Sequence, residues 1–267
     1  MAKLDGKFLR GMIGPVVNKK YRNLQVITQS PRYNPNKRTE PSKKAAVKFG
    51  VASNFACSIR DNFYNVIVQL YDGPMINRLL KEVRIILGQS LDQQTDTFNF
   101  DSESFSRLNG FEFNEESPLR DNLFIQPVTT LTGPNLQAQF PDMHIPQDLK
   151  FPKTSNVCML GVAVGMYDLS YGRRILSPVQ SIEIKNSPDG VIIPAKQFNF
   201  EIEPGCLCIV VISLQYLKTI FSGNMLINNK QFSPCGILNA TMANGQVDEL
   251  KTKHWKKMDF RTTSPLT

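Results

Sequence analysis

Histidine is nearly missing from this chain, with His144 and His254 the two present in 267 residues. A serine nucleophile needs a base beside it, usually histidine, so the shortage removes most ways of building one. His144 lies in DMHIPQD between Pro141 and Pro146, a loop signal, and His254 lies in the basic run KTKHWKK. The motifs G-x-S-x-G and H-E-x-x-H do not occur. The glycine-rich phosphate cradles G-x-x-x-x-G-K-[ST] and G-x-G-x-x-G are missing too. Glu201 and Glu203 are a strand-spaced pair of acids, as in a glycosidase, but they stand beside a Pro204-Gly205 turn where exposed glutamates are ordinary. No catalytic residue, cofactor or small-molecule substrate is expected.

Long apolar runs are also lacking. None approaches the roughly 18 residues of a membrane helix, and the longest β-rich stretch, 206–214, has the length of a strand. The opening MAKLDGKFLRGMIGPVV has early positive charge but no sustained apolar segment of about 7–15 residues. Neither a secretory signal nor membrane insertion is expected, and the expected compartment is the cytoplasm. Cysteine is odd in number: Cys57, Cys158, Cys206, Cys208 and Cys235. With no export signal and no Cys-x-x-Cys, these read as reduced core thiols, not a disulfide framework or a metal site.

What is present is a globular composition, 41% hydrophobic and 20% charged, enough to bury a core. The net charge of +8 is unevenly spread. Residues 1–60 carry 13 Lys+Arg against Asp5 and Glu40, residues 61–250 are net −7, and residues 251–267 are net +4. Basic ends on an acidic body are not the pattern of a uniform nucleic-acid binder.

Periodicity predicts a mainly β protein with a helical segment near its N-terminus. Residues 8–17 and 24–28 read as two strands of a hairpin, with the polar turn NKKYRN at 18–23 between them. A short hairpin is marginal alone and must pack on something. Residues 29–41 are a Pro-punctuated linker, closing an arm at 1–38. Thr39 is a plausible N-cap, with Glu40 and Pro41 in the first turn of a helix carrying Ala45, Phe49, Ala52, Ala56 and Ile59 on one stripe. Further helical stretches at 62–71 and 75–87 complete a segment 39–89. From 104 to 250 the candidate strands are 122–129, 136–140, 157–167, 179–185, 190–193, 197–202, 206–217 and 236–242. Their spacing predicts an antiparallel β-sandwich of Ig or fibronectin type. The basic tail 251–267 is expected to be extended.

The arm supports two functional readings. In the first, its apolar strand residues dock on a neighbour, steered by charge toward an acidic body, so that the chain assembles with itself into a filament, tube, sheath or phage-like particle. The residues assigned to that contact are Gly11, Ile13, Gly14, Val16, Val17, Lys19, Lys20, Tyr21, Arg22, Leu24 and Val26. In the second, Lys19, Lys20, Arg22, Arg32, Lys37 and Arg38 contact nucleic-acid phosphates, with Tyr21 and Tyr33 interleaved. The aliphatic content favours the first, since a phosphate-tracking tail has no need of strand-forming residues. A β-rich hydrolase is a third reading.

The run Gly11-Met12-Ile13-Gly14-Pro15-Val16-Val17-Asn18, followed by Tyr21-Arg22-Asn23, resembles the opening of an uncharacterised family common in Bacteroidota. That opening has the form G-x-[VI]-G-x-V-V-G, then an aromatic, a basic residue and glycine. Ser30-Pro31, Asn34-Pro35, Thr39-Glu40 and Lys48-Phe49 follow the family's R-x-x-P, N-P, T-E and K-F landmarks in order. Asn18 and Asn23 stand where glycine is usual, and asparagine tolerates positive φ better than most residues. The resemblance covers about the first 55 residues. It implies a β-rich body of unassigned function and supplies no catalytic residues.

Overall fold

The pair of two-residue turns in the first 30 residues, and a third ahead of them, set the architecture of the N-terminal unit. The computed structural model describes residues 2–30, 39–187, 189–260 and 262, and it divides into the units Met1–Ala45 and Ala46–Thr267. The first unit holds β1 (Lys3–Asp5), β2 (Phe8–Ile13), β3 (Val16–Tyr21) and β4 (Leu24–Gln29), paired in chain order as an antiparallel meander. It closes on the start of α1 (Glu40–Asn62), where the Thr39 hydroxyl accepts the Ser42 N–H at 3.4 Å, the N-cap read from sequence.

The second unit is built around β10 (Val157–Asp168) and β15 (Leu207–Ile220), which pair along eleven residues from Val157↔Leu217 to Tyr167↔Leu207. Both are apolar on both faces, so both faces of the sheet must be covered. On one face Ala163, Tyr167, Leu207, Ile209 and Val211 share a core with Phe55 and Ile59 of α1 and with Leu79 and Val83 of α3 (Met75–Ser90). On the other face Leu160, Val162, Val164, Val210, Ile212 and Leu214 pack with Leu136, Ala138 and Phe140 of β8 (Asn135–Phe140) and with Phe198 and Phe200 of β14 (Lys196–Glu201). The result is a helix layer, a central sheet and a smaller sheet. The mainly β, antiparallel character agrees with the sequence reading, but helices, not a second sheet, cover one face of the central sheet.

The remaining strands border these layers. In the central sheet β15 is flanked by β16 (Gly223–Leu226) and β17 (Cys235–Met242), and β10 by β11 (Arg173–Leu176) and β12 (Gln180–Lys185). β18 (Lys256–Lys257) lies beyond β11. β7 (Val128–Thr132) joins β8 and β14, while β9 (Met143–Ile145) pairs β13 (Val191–Ile193). A small hairpin pairs β5 (Leu91–Asp92) with β6 (Thr97–Phe98). His144, expected in a loop, is an exposed residue of β9.

Several local expectations change. The helix expected over 62–71 is one turn, α2 (Tyr64–Ile67), because Val68 and Gln69 adopt φ of 52° and 56° and end it. Phe49 is exposed; the buried stripe of α1 is Ala52, Phe55, Ala56 and Ile59. Phe55 is an aromatic hub, stacked on Phe260 at 4.6 Å and edge-on to Phe105 and Tyr167, both at 6.1 Å. Phe260 belongs to the tail that was expected to be extended. Trp255, Met258 and Phe260 are instead buried, after the short helix α4 (Glu249–Thr252). Its anchor is Asp168, fully buried, which accepts the Thr252 hydroxyl at 2.9 Å and the amides of Ser170 and Tyr171.

Two glycines of β10 measure how tightly these layers meet. A Cβ on Gly165 would stand 2.7 Å from the Phe63 ring and 3.0 Å from the Tyr167 hydroxyl, whereas on Gly161 the nearest atom is the Ser213 hydroxyl at 3.2 Å. Gly165→Ala must push a packed ring aside and is expected to cost about 1–3 kcal/mol. Gly161→Ala is expected to cost well under half of that, read by urea unfolding of both variants.

Candidate functional site

The meander contains every residue assigned to the arm contact. Three two-residue turns make it. Gly6-Lys7 joins Asp5 to Phe8, Gly14-Pro15 joins Ile13 to Val16, and Arg22-Asn23 joins Tyr21 to Leu24. In each, the first turn residue has positive φ: 58° at Gly6, 55° at Gly14 and 55° at Arg22. Proline fixes φ near −65°, so Gly14-Pro15 has the sign pattern of a II′ hairpin turn.

This geometry corrects the sequence reading at two points. Residues 8–17 are two strands, since Gly14 and Pro15 interrupt the run where Pro has no N–H for a ladder. Residues 18–23 are not the turn. Asn18, Lys19, Lys20 and Tyr21 are inside β3, and Asn18 is buried opposite Ile27. The positive φ expected of Asn18 and Asn23 falls on Arg22 instead.

Cross-strand partners share a face. Register therefore puts Met12, Val17, Lys19, Tyr21, Leu24 and Val26 on one face, and Gly11, Ile13, Val16, Asn18, Lys20 and Ile27 on the other. Lys19 and Lys20 thus point to opposite sides. Arg10 is taken by Asp5 at 2.9 Å. Arg32, Tyr33, Lys37 and Arg38 lie outside the described residues.

The meander buries little of itself. Among its described residues Phe8 and Asn18 are buried, while Leu24 is 66% exposed, Ile27 63% and Tyr21 53%. Two contributors carried no sequence signal. Phe8 lies under the Lys20 ammonium, 4.8 Å from the ring centre. Gln25 reaches from β4 to the Leu9 main chain, its Oε1 accepting the N–H at 2.8 Å and its Nε2 donating to the carbonyl at 2.9 Å. The outer side of β4 has no partner strand among the described residues.

The body offers weaker candidates for chemistry. A cleft of about 490 Å³ is lined by Leu119, Leu123, Phe124, Ile212 and Leu238, with Glu112 at one end. Burial raises the Glu112 carboxyl above the usual carboxylate range, although its Oε2 accepts the Leu119 N–H at 2.9 Å. Glu203 is paired with Lys251 at 3.5 Å, and Glu201 is exposed at the end of β14. All five cysteines are free thiols. Burial pushes Cys208 up to about 12 and raises Cys158, Cys206 and Cys235 further, so none of these four is a ready nucleophile. No three His, Cys, Asp or Glu side chains gather as a metal site among the described residues.

The two β2–β4 turns should respond oppositely to substitution. A Cβ on Gly14 meets nothing within 4 Å, so Gly14→Ala pays only for left-handed backbone, about 1 kcal/mol. Arg22→Gly relieves that same strain and should leave the meander as protected from hydrogen exchange as wild type, or more so. At Glu112 the sign runs the other way from most carboxylates. Its folded pKa is raised, so its favourable contribution is complete below the unfolded value near 4.3 and is lost as pH rises through the folded value. Glu112→Gln keeps an acceptor for Leu119 without the charge, and should be the more stable protein at pH 7 while converging with wild type toward pH 4. Neither protein-family models, nor curated proteins, nor solved structures match this chain, and the functional reading rests on its own geometry.

Proposed function

We propose that the chain is a non-enzymatic structural or interaction subunit, in which β4 of one copy adds to β4 of another. The observation that carries this reading is the outer edge of β4, which has no partner strand among the described residues. Its sequence, LQVITQ, has no charge, no proline and no bulge, three of the devices by which proteins blunt an exposed edge. Beside it stand Leu24, Ile27 and Tyr21, each more than half exposed.

Magnitudes point to a modest contact. Antiparallel pairing of two six-residue strands makes about six backbone hydrogen bonds, each worth roughly 0.5–1.5 kcal/mol net. Association costs about 4–15 kcal/mol in lost rigid-body freedom. The surplus therefore comes from apolar burial at about 1.5–3 kcal/mol per large side chain, and Leu24, Ile27, Met12 and Tyr21 are the available ones.

Charge plays a smaller part than the linear distribution implied. The tail packs on the body, so the unit Ala46–Thr267 as a whole has 20 basic and 21 acidic residues, net −1, against +9 for Met1–Ala45. Edge-to-edge pairing brings two positive segments together, and added salt screens their repulsion. Nucleic-acid binding through the same residues is the second reading; the split of Lys19 and Lys20 between faces counts against it.

Light scattering at about 100 µM should give wild-type masses above one chain that hold or rise between about 0.05 and 0.5 M salt. Leu24→Lys/Ile27→Lys puts a charge on each face of the edge and should give a monomer with an unchanged circular dichroism spectrum. A wild type that stays monomeric throughout would sink the proposal. Tight binding to a 20-mer duplex, falling by several log units per log unit of salt, would promote the second reading instead.

A further inference from the structure

We infer that a cleft at the edge of the central sheet, built around Arg174 and Lys256, binds a small phosphate-bearing molecule. The starting observation is a cross-strand ladder of like charge. β11 and β18 pair Arg173 with Lys257 and Arg174 with Lys256. Like charges directly opposite one another destabilise a strand pair. The segment is held by buried Trp255, Met258 and Phe260, which keep the two like-charged pairs in place in spite of their repulsion, and an anion between them would relieve it.

Arg173 has one. Its Nη2 lies 3.4 Å from the Glu249 carboxylate, and its Nη1 donates to the Glu249 carbonyl and the Thr252 hydroxyl at 2.9 and 3.0 Å. Arg174 does not. Its Nη1 donates to the Ser58 carbonyl, and its nearest carboxylate, Asp61, is 3.9 Å from Nη2. That carboxylate is already shared with Arg60 at 3.3 Å. Arg174 Nε is buried with no hydrogen-bond partner among the described residues, and an orphaned donor on a charged group is costly. Among the described residues, Lys256 makes no ion pair within 4.0 Å.

Both side chains line a cavity of about 560 Å³, together with Asn62, Tyr64, Asn65 and His254 and with one carboxylate, Asp61, which Arg60 and Arg174 share. The volume lies within the range of small-molecule sites. Two adjacent cations suit a dianion better than a single carboxylate, and the planar guanidinium donates in the fork that phosphate oxygens fit. The Asn65 amide and the Tyr64 hydroxyl are neutral groups of the lining, while the Asn62 amide already donates to the Ile175 carbonyl at 3.0 Å. Register sets the two residues directly opposite, with Cβ atoms about 4.5–5.5 Å apart on one face of the strand pair.

The test exploits a change of sign. Without ligand, Lys256→Gln removes the repulsion and should melt at or above wild type. With 10 mM pyrophosphate, compared with chloride at equal ionic strength, wild type should gain several °C and Lys256→Gln less than half as much. Titration calorimetry should show at least five-fold weaker pyrophosphate binding by Lys256→Gln, and no change for Lys218→Gln, a lysine on β15 remote from the cleft. Adenosine monophosphate and inorganic phosphate in parallel cells distinguish a nucleotide from a free-phosphate ligand. Absence of pyrophosphate heat and melting shift in wild type would overturn the inference. So would equal loss in both lysine variants, which would mark diffuse surface attraction.

Discussion

Two strands that are apolar on both faces govern the body. Once β10 and β15 pair, neither face can stay in water, and the chain supplies a different cover for each: α1 and α3 on one, β8 and β14 on the other. The same demand explains glycine at 165, where Phe63 and Tyr167 come too close to leave room for a methyl group. It also explains the placement of the C-terminal segment. Phe260 stacks on Phe55, and Asp168 at the end of β10 holds Thr252 of α4, so the segment is pinned on both sides of β18, which pairs with β11.

Two stretches of that sheet's border are covered. The outer side of β17 is met by the segment around Phe111, with Gly110 N–H donating to the Ile237 carbonyl and Ile237 N–H to the Phe111 carbonyl, each at 2.8 Å. On the opposite side β18 covers β11. β4 receives no such cover among the described residues, although its sequence is more prone to pairing than either. Among the described residues β7 (VTTLT) and β16 (GNML) are also uncharged outer strands, but at six residues β4 is the longest of the three. A longer unblunted edge offers more ladder hydrogen bonds to an added strand, which is why β4 is preferred to the other two as a contact strand.

Sequence periodicity was informative where one rule dominated. The strands expected at 136–140, 157–167, 179–185 and 236–242 lie within a residue or two of β8, β10, β12 and β17, because long apolar or alternating runs have few other solutions. It was uninformative where tertiary contacts decide. Phe55 lies off the stripe drawn through Phe49 because that stripe gave equal weight to a residue that is exposed. RRIL at β11 has two charges where a strand pattern would have alternation, so neither the strand nor its ladder with Lys256-Lys257 could be read from spacing. In the meander, the lysines and Tyr21 looked like a turn because they are polar, yet turn position was set by backbone sign at Gly14 and Arg22.

The two positively charged regions make different physical demands. In the meander the excess is spread over both faces of a thin sheet, where water and salt reach every ammonium and each pair interaction is worth about 1 kcal/mol or less. Such charge attracts any polyanion and discriminates among none. At Arg174 the excess is held by register beside a buried, unpartnered Nε, so its energy depends on what occupies one small volume. Screening weakens the first and acts less on Arg174, whose side chain is 14% exposed, than on exposed Lys256. Salt therefore separates the two regions: binding that survives at high ionic strength belongs to the cleft, and binding lost there belongs to the meander.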